Sequence, residues 1–147
     1  IRVLEYNARF GDPEAQPILM RLKSDLVPVL EACVDGRLEA QEVLWHEDAA
    51  VCVVLASGGY PGAYPTGLPI DGLEEAARAE GVVVFHAGTA LREGRTVTAG
   101  GRVLGVTGRG ATIREAVERS YRAAGKISFP GMHYRRVGAH RALSDGR

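Results

Sequence analysis

The strongest limit on the fold comes from an apolar run, Ala49–Ala56 (AAVCVVLA), that is followed at once by the loop 57–62 (SGGYPG). A valine-rich run of this length is typical of a buried strand, and the glycines and proline after it indicate a rigid turn. Further strands are predicted at Val82–His86, 89–93, 96–99 and 102–107. Gly94-Arg95 is predicted as the turn of a hairpin between 89–93 and 96–99. The second half of the chain is therefore expected to form a mostly antiparallel sheet.

Helical spacing of apolar residues precedes and follows this sheet. Asp12 is predicted to cap a first helix with Pro13 at its first position, and Ser24 and Asp25 to form the cap of a second helix that ends at 35–36. Both helices contain a proline, which favours short helices that begin near it. A short helix is expected at 72–80, and a longer one from a cap at Thr112 to Gly125.

The order of elements predicts an α+β fold. Residues 1–9 are expected to form a strand, the two helices come next, and an antiparallel sheet with one covering helix completes the chain. A change in composition near 36–45 marks a boundary between 1–40 and 41–147.

Composition narrows the class of protein. Apolar residues make up 46% of the 147 residues, and 18 basic side chains balance 18 acidic ones, so overall charge indicates neither nucleic acid nor an anionic membrane as a partner. We see no apolar run of the roughly 18 residues needed to cross a membrane. Cys33 and Cys52 form no CxxC pair and are predicted to be buried, reduced thiols of a cytosolic protein.

The segment 5–14 (EYNARFGDPE) holds several charged and amide side chains that could bind a metal ion or an anion. In an extended strand Glu5, Asn7 and Arg9 project to the same side. A carboxylate and an amide suit Mg²⁺ that is shared with phosphate, and an arginine can clamp an anionic oxygen. From the pattern alone, an ordinary solvent-facing strand is as good an interpretation. Asp12 and Glu14 add two carboxylates near the end of this strand.

Gly100-Gly101-Arg102 is a second candidate site, because two glycines allow close backbone approach and the arginine could grip a phosphate. A plain turn with a surface arginine is the interpretation that the pattern itself favours. His86 has no predicted metal or catalytic partner and is expected to be a hydrogen-bonded structural residue. The basic group Arg135, Arg136 and Arg141 is interpreted as a solvated tail, and no nucleotide-binding glycine loop with a Walker lysine is present.

Taken together, these motifs resemble the glycinamide ribonucleotide synthetase family (phosphoribosylamine–glycine ligases) of the ATP-grasp ligases. The similar segments are 3–17, 22–26, 55–62, 85–89, 100–107, 134–136 and 138–142. The resemblance implies that 1–40 is the end of an ATP-grasp domain and that 41–147 is a C-terminal β-rich domain.

The resemblance also implies a function: ATP-dependent joining of glycine to 5-phosphoribosylamine through a glycyl phosphate, in purine biosynthesis in the cytoplasm. Glu5 and Asn7 would hold Mg²⁺ or Mn²⁺ against ATP, and Arg9 would steady the acyl phosphate. Asp12 and Glu14 would face the acceptor substrate, and Arg102 would grip its ribose phosphate.

Family members carry an N-terminal domain, an ATP-lid domain and most of the ATP-grasp domain before the position of Glu5. This chain alone is therefore expected to be inactive, with an exposed apolar face on 1–4 and on the helices after Pro13. Two alternatives stay open: a non-catalytic phosphate-binding or interaction module, and another ATP-grasp ligase such as a carboxylase component.

Overall fold

A computed structural model describes residue 3 and residues 6–136 of the chain. The helices and strands are, in order, α1 (Ala15–Arg21), α2 (Leu26–Val34), β1 (Ala49–Ala56), α3 (Leu73–Ala77), β2 (Val82–His86), β3 (Thr89–Arg92), β4 (Arg95–Thr98), β5 (Arg102–Gly110) and α4 (Ile113–Ala124). A single 3₁₀ turn at Leu38–Ala40 lies between α2 and β1. The predicted α+β class with antiparallel sheets is confirmed.

The main sheet has three antiparallel strands in the order β1-β5-β2. β5 is central and pairs along both edges, with Gly110 opposite Ala49 and Gly108 opposite Val82. Because β1 pairs with it as far as Ala49, β5 continues to Gly110, beyond the predicted end at 107.

The hairpin of β3 and β4 turns one position earlier than predicted. Arg92 pairs with Arg95, which leaves Glu93 and Gly94 as the turn, with φ values of 50° and 76°. A two-residue turn with both φ angles positive follows the right-handed twist of the strands it joins. The prediction of Gly94-Arg95 was therefore wrong by one residue.

Two helices enclose the main sheet from opposite faces. Gly105 of β5 lies under Gln16 of α1, and Gly108 lies under Ser120 of α4. Since alternate residues of a strand face opposite sides, these two glycines place α1 and α4 on different faces. Ser120 Oγ accepts the N–H of Gly108 at 2.8 Å, which joins α4 directly to the sheet.

The hydrophobic core lies between α4 and the sheet. Its fully buried members include Leu55, Val103, Val106, Ala123 and Ala124. The predicted cap of α4 is confirmed, because Thr112 Oγ1 accepts the N–H of Glu115 at 3.2 Å. On the other face, Arg109 Nη1 donates to the carbonyl oxygen of Met20 at 3.2 Å and thereby ties α1 to β5.

The start of the chain differs from the prediction in two respects. In the described part of 1–9, which is residue 3 and residues 6–9, there is no strand. A strand is defined by hydrogen bonds to a neighbouring strand, and none of the strand pairings or isolated bridges among the described residues involves 6–9. The predicted cap at Asp12 was also wrong: Glu14 is the N-cap residue of α1, and its Oε1 accepts the N–H of Gly11 at 2.7 Å, closing a separate turn.

Helix α2 confirms the predicted cap and the expected exposed face. Asp25 Oδ1 accepts the N–H of Val27 at 2.9 Å. Ala32 is the buried residue of this helix, whereas Leu30 and Val34 are 54% and 88% exposed. Because so little packs on α2, Cys33 is exposed, and the prediction that it is buried was wrong.

Within the residues that the structure describes, no helix is long and apolar enough to cross a bilayer.

Candidate functional site

Three loops meet at one end of the main sheet: 57–62 after β1, 86–89 after β2 and 99–102 before β5. Ser57 donates twice to the last of these, from N–H to the Gly101 carbonyl oxygen and from Oγ to the Gly100 carbonyl oxygen, both at 2.8 Å. The N–H of Gly88 donates to the Arg102 carbonyl oxygen at 2.9 Å. The backbone that carries Arg102 is thus held from two neighbouring loops.

Two positions where these loops meet have no room for a side chain, because neighbouring groups approach the backbone closely. A Cβ atom on Gly101 would collide with the ring of Tyr60, and one on Gly88 would lie 2.7 Å from the Cα atom of Gly100. A side chain at either position would force the loops apart. Sequence reasoning assigned no role to Ser57 or Gly88, although the motifs SGGYPG and HAGT that contain them were part of the resemblance.

Arg102 reaches Asp12 across the sequence. Its Nη1 donates to the Asp12 carbonyl oxygen at 2.9 Å, and its Nε lies 3.7 Å from Asp12 Oδ2. The side chains are 43% and 49% exposed, so solvent reaches both. The structure therefore joins two residues that were singled out independently, the arginine after the glycine pair and the first carboxylate of the GDPE turn.

The remaining predicted site residues keep local partners. Arg9 is exposed, and its Nη1 donates to the carbonyl oxygen of Phe10 at 3.2 Å. The Glu14 carboxylate accepts the N–H of Gly11. Asn7 is exposed on the same segment. Glu5 lies outside the described residues. Among the residues described, no group of three or more His, Cys, Asp or Glu side chains is arranged to hold a metal.

A cavity of about 700 Å³ opens beside the Asp12–Arg102 pair. Pro13, Tyr60 and Arg102 line one end, and Tyr121 and Tyr134 line the other. The outer edge of β1 lies between them, with Val51, Val53 and Val54 among the lining residues. A space of this size, with largely apolar walls and with Arg102 and Arg135 among its lining residues, suits a small ligand with an anionic group.

Cys52 also faces this cavity. Burial raises the pKa of its thiol above the ordinary value, the neighbouring Thr107 hydroxyl lowers it, and the negative charge of Asp12 raises it further. The side chain is half-buried and is not in a disulfide. Cys52 is therefore a neutral thiol near neutral pH.

The structure shows the surroundings of His86 and of the two described tail arginines, Arg135 and Arg136, which are both exposed. His86 Nδ1 lies 3.0 Å from Thr89 Oγ1, so the prediction of a hydrogen-bonded histidine is confirmed. In the tail, Arg136 lies over the ring of Tyr134 at 5.9 Å, and the Arg135 carbonyl oxygen accepts the Tyr121 hydroxyl at 2.6 Å. Arg141 lies outside the described residues.

Comparison with known proteins gives a consistent result. Residues 50–140 match the family model described as phosphoribosylglycinamide synthetase, C domain. A phosphoribosylamine–glycine ligase from Synechocystis sp. is 54% identical over 97% of this chain, and a chloroplastic one from Arabidopsis thaliana is 51% identical over 97%. The crystal structure of the Thermotoga maritima phosphoribosylamine–glycine ligase superposes with a TM-score of 0.70 at 37% identity, covering 91% of this chain.

These matches occupy a limited part of each relative. The chain spans 34% of the Synechocystis protein, 27% of the Arabidopsis protein and 32% of the Thermotoga chain. The family model itself covers β1 to α4 and the loops that hold Arg102. The chain belongs to the family of the phosphoribosylglycinamide synthetase C domain.

Proposed function

We propose that this chain is the C-terminal part of an ATP-dependent carbon–nitrogen ligase. The complete enzyme would join glycine to 5-phosphoribosylamine and give glycinamide ribonucleotide, ADP and phosphate, in purine biosynthesis in the cytoplasm. Residues 1–40 would be the end of its ATP-grasp domain and 41–147 its C-terminal domain. The contact between Asp12 and Arg102 is the observation that carries this proposal, because it joins the EYNARFGDPE segment to the family's C domain.

Arg102 would bind the phosphate of the acceptor substrate. Its guanidinium is half-exposed at the mouth of the cavity, and an arginine can give a phosphate two parallel hydrogen bonds. Asp12 would accept hydrogen bonds from the hydroxyl or amine groups of the same substrate. Glu14 would join it there by exchanging its present bond to the Gly11 N–H for one to substrate.

Arg9 would steady the phosphoryl group during transfer to the glycine carboxylate. Its Nη1 donates to the carbonyl oxygen of the neighbouring Phe10, and the side chain is exposed, so it can turn toward an anionic ligand. A positive charge held in place before reaction stabilises the charge that develops during phosphoryl transfer.

Glu5 and Asn7 would hold the Mg²⁺ or Mn²⁺ that accompanies ATP. One carboxylate and one amide supply the hard oxygen donors that such an ion prefers, and leave its other positions to water and phosphate oxygens. When bound, the ion would neutralise charge on the transferred phosphoryl group.

The test joins the N-terminal part of the Synechocystis relative to residue 1 of this chain; we call this protein the full-length fusion. We expect ATP- and glycine-dependent formation of glycinamide ribonucleotide by the full-length fusion and none by the 147-residue chain alone. A folded but inactive fusion would contradict the ligase function and favour a non-catalytic phosphate-binding module. Product formation by the isolated chain would contradict the expected dependence on the N-terminal part that the fusion supplies.

A further inference from the structure

Ser57 is a buried polar residue beside the turn that carries Arg102, with 1% of its surface exposed. Both of its hydrogen bonds to this turn end on the glycine pair that precedes Arg102, the hydroxyl on the Gly100 carbonyl oxygen and the N–H on the Gly101 carbonyl oxygen. A serine buried this deeply is enclosed by protein and offers no surface to a ligand. Any effect it has on the site must pass through the turn.

The same turn is fixed from two other directions. The Gly88 N–H holds the Arg102 carbonyl oxygen, and the ring of Tyr60 lies against Gly101. Three successive carbonyl oxygens, those of residues 100, 101 and 102, are therefore bound by donors from other loops, and Ser57 supplies two of the three donors. Since a fixed backbone fixes the direction of the Cα–Cβ bond, this arrangement sets where the Arg102 side chain leaves the turn, and Asp12 then holds its guanidinium.

We propose that Ser57 is a positioning residue that aims Arg102 at the phosphate of the acceptor substrate. The inference rests on the proposed function, since it takes Arg102 as the phosphate ligand. Loss of the hydroxyl would leave the Gly100 carbonyl oxygen without its partner inside the protein, which is unfavourable enough to move the turn. A shift of the guanidinium would then weaken binding of the phosphate-bearing substrate alone.

Steady-state kinetics of the full-length fusion tests this inference. We expect Ser57→Ala to raise KM for 5-phosphoribosylamine about tenfold, equal to about 1.4 kcal/mol. The kcat and the KM values for ATP and glycine should stay within about twofold, because the phosphoryl-transfer groups are not displaced. In an Arg102→Ala background the same substitution should have no further effect, because Ser57 acts through Arg102.

Ser120→Ala is the matched control. Ser120 is also buried, and its hydroxyl also lies 2.8 Å from backbone carbonyl oxygens, but those belong to Val51 and Ala116, away from Arg102. It should lower thermal stability without a selective change in KM. If Ser57→Ala fails to fold, Ser57→Cys, which has nearly the same size and a weaker donor, should give a smaller selective rise.

The outcomes separate the two proposals. If Arg102→Ala raises the acceptor KM but Ser57→Ala leaves it unchanged, or adds to the effect of Arg102→Ala, then Ser57 is not a positioning residue and the proposed function stands. If Arg102→Ala itself leaves the acceptor KM unchanged, the phosphate-binding role of Arg102 fails and the inference about Ser57 fails with it.

Discussion

The Arg102 guanidinium contacts both the backbone and the side chain of Asp12, with Nη1 2.9 Å from the Asp12 carbonyl oxygen and Nε 3.7 Å from Asp12 Oδ2. An ion pair that is about half-exposed to solvent contributes only about 0–1 kcal/mol to folding. The contact matters for geometry more than for stability, because it holds the turn before α1 beside the loop before β5. An acceptor phosphate on Arg102 and the reacting groups on the first segment would then lie within one site.

Replacement of Asp12 tests this placement directly. In the full-length fusion, Asp12→Asn removes the carboxylate that would accept hydrogen bonds from the hydroxyl or amine groups of the acceptor, and we expect KM for 5-phosphoribosylamine to rise about tenfold with KM for ATP unchanged. Asp48→Asn is the control, because Asp48 pairs with Arg109 at 3.1 Å on the α1 side of the sheet. Similar KM changes in both variants would argue against a local role for Asp12.

The sequence predicted those parts of the fold that depend on neighbouring residues. Thr112 was recognised as a cap because its hydroxyl and the Glu115 N–H are three positions apart, within reach of one helical turn. The contact of Arg102 with Asp12 joins residues 90 positions apart, and no local pattern encodes it. The roles of Ser57 and Gly88 were missed for the same reason, because their partners lie in the loop before β5.

Because α4 packs closely on β5, substitution of Gly108 by alanine should change stability much more than the same substitution of Gly125. A Cβ atom on Gly108 would lie 2.6 Å from Ser120 Oγ and 2.8 Å from the Ala116 carbonyl oxygen, so Gly108→Ala should lower the free energy of unfolding by about 1–3 kcal/mol. Gly125→Ala should be neutral or stabilising, because its φ of −67° is helical and the nearest atom is 3.4 Å away. Urea unfolding of both variants measures this, and equal midpoints would contradict it.

The two cysteines should differ in reactivity and in pH dependence. At about pH 7.5 iodoacetamide should modify exposed Cys33 at least about tenfold faster than half-buried Cys52, because the thiolate is the nucleophile and burial raises the pKa of Cys52. The raised pKa favours folding below the pKa of the unfolded thiol, about 8.5, and this contribution declines as pH rises above that value. Mass spectrometry of the alkylated peptides gives both rates, and faster labelling of Cys52 would contradict the buried thiol.

The exposed side of α2 should make the isolated chain self-associate. Leu30 and Val34 are 54% and 88% exposed on this helix, and unpartnered apolar faces favour association. The double variant Leu30→Glu and Val34→Lys should therefore shift the chain toward monomer in sedimentation velocity without changing its far-UV circular dichroism. Leu91→Lys is the matched control, because Leu91 is 74% exposed on the β3–β4 hairpin, away from α2, and should leave association unchanged. Equal effects of the two changes would place the self-association surface elsewhere.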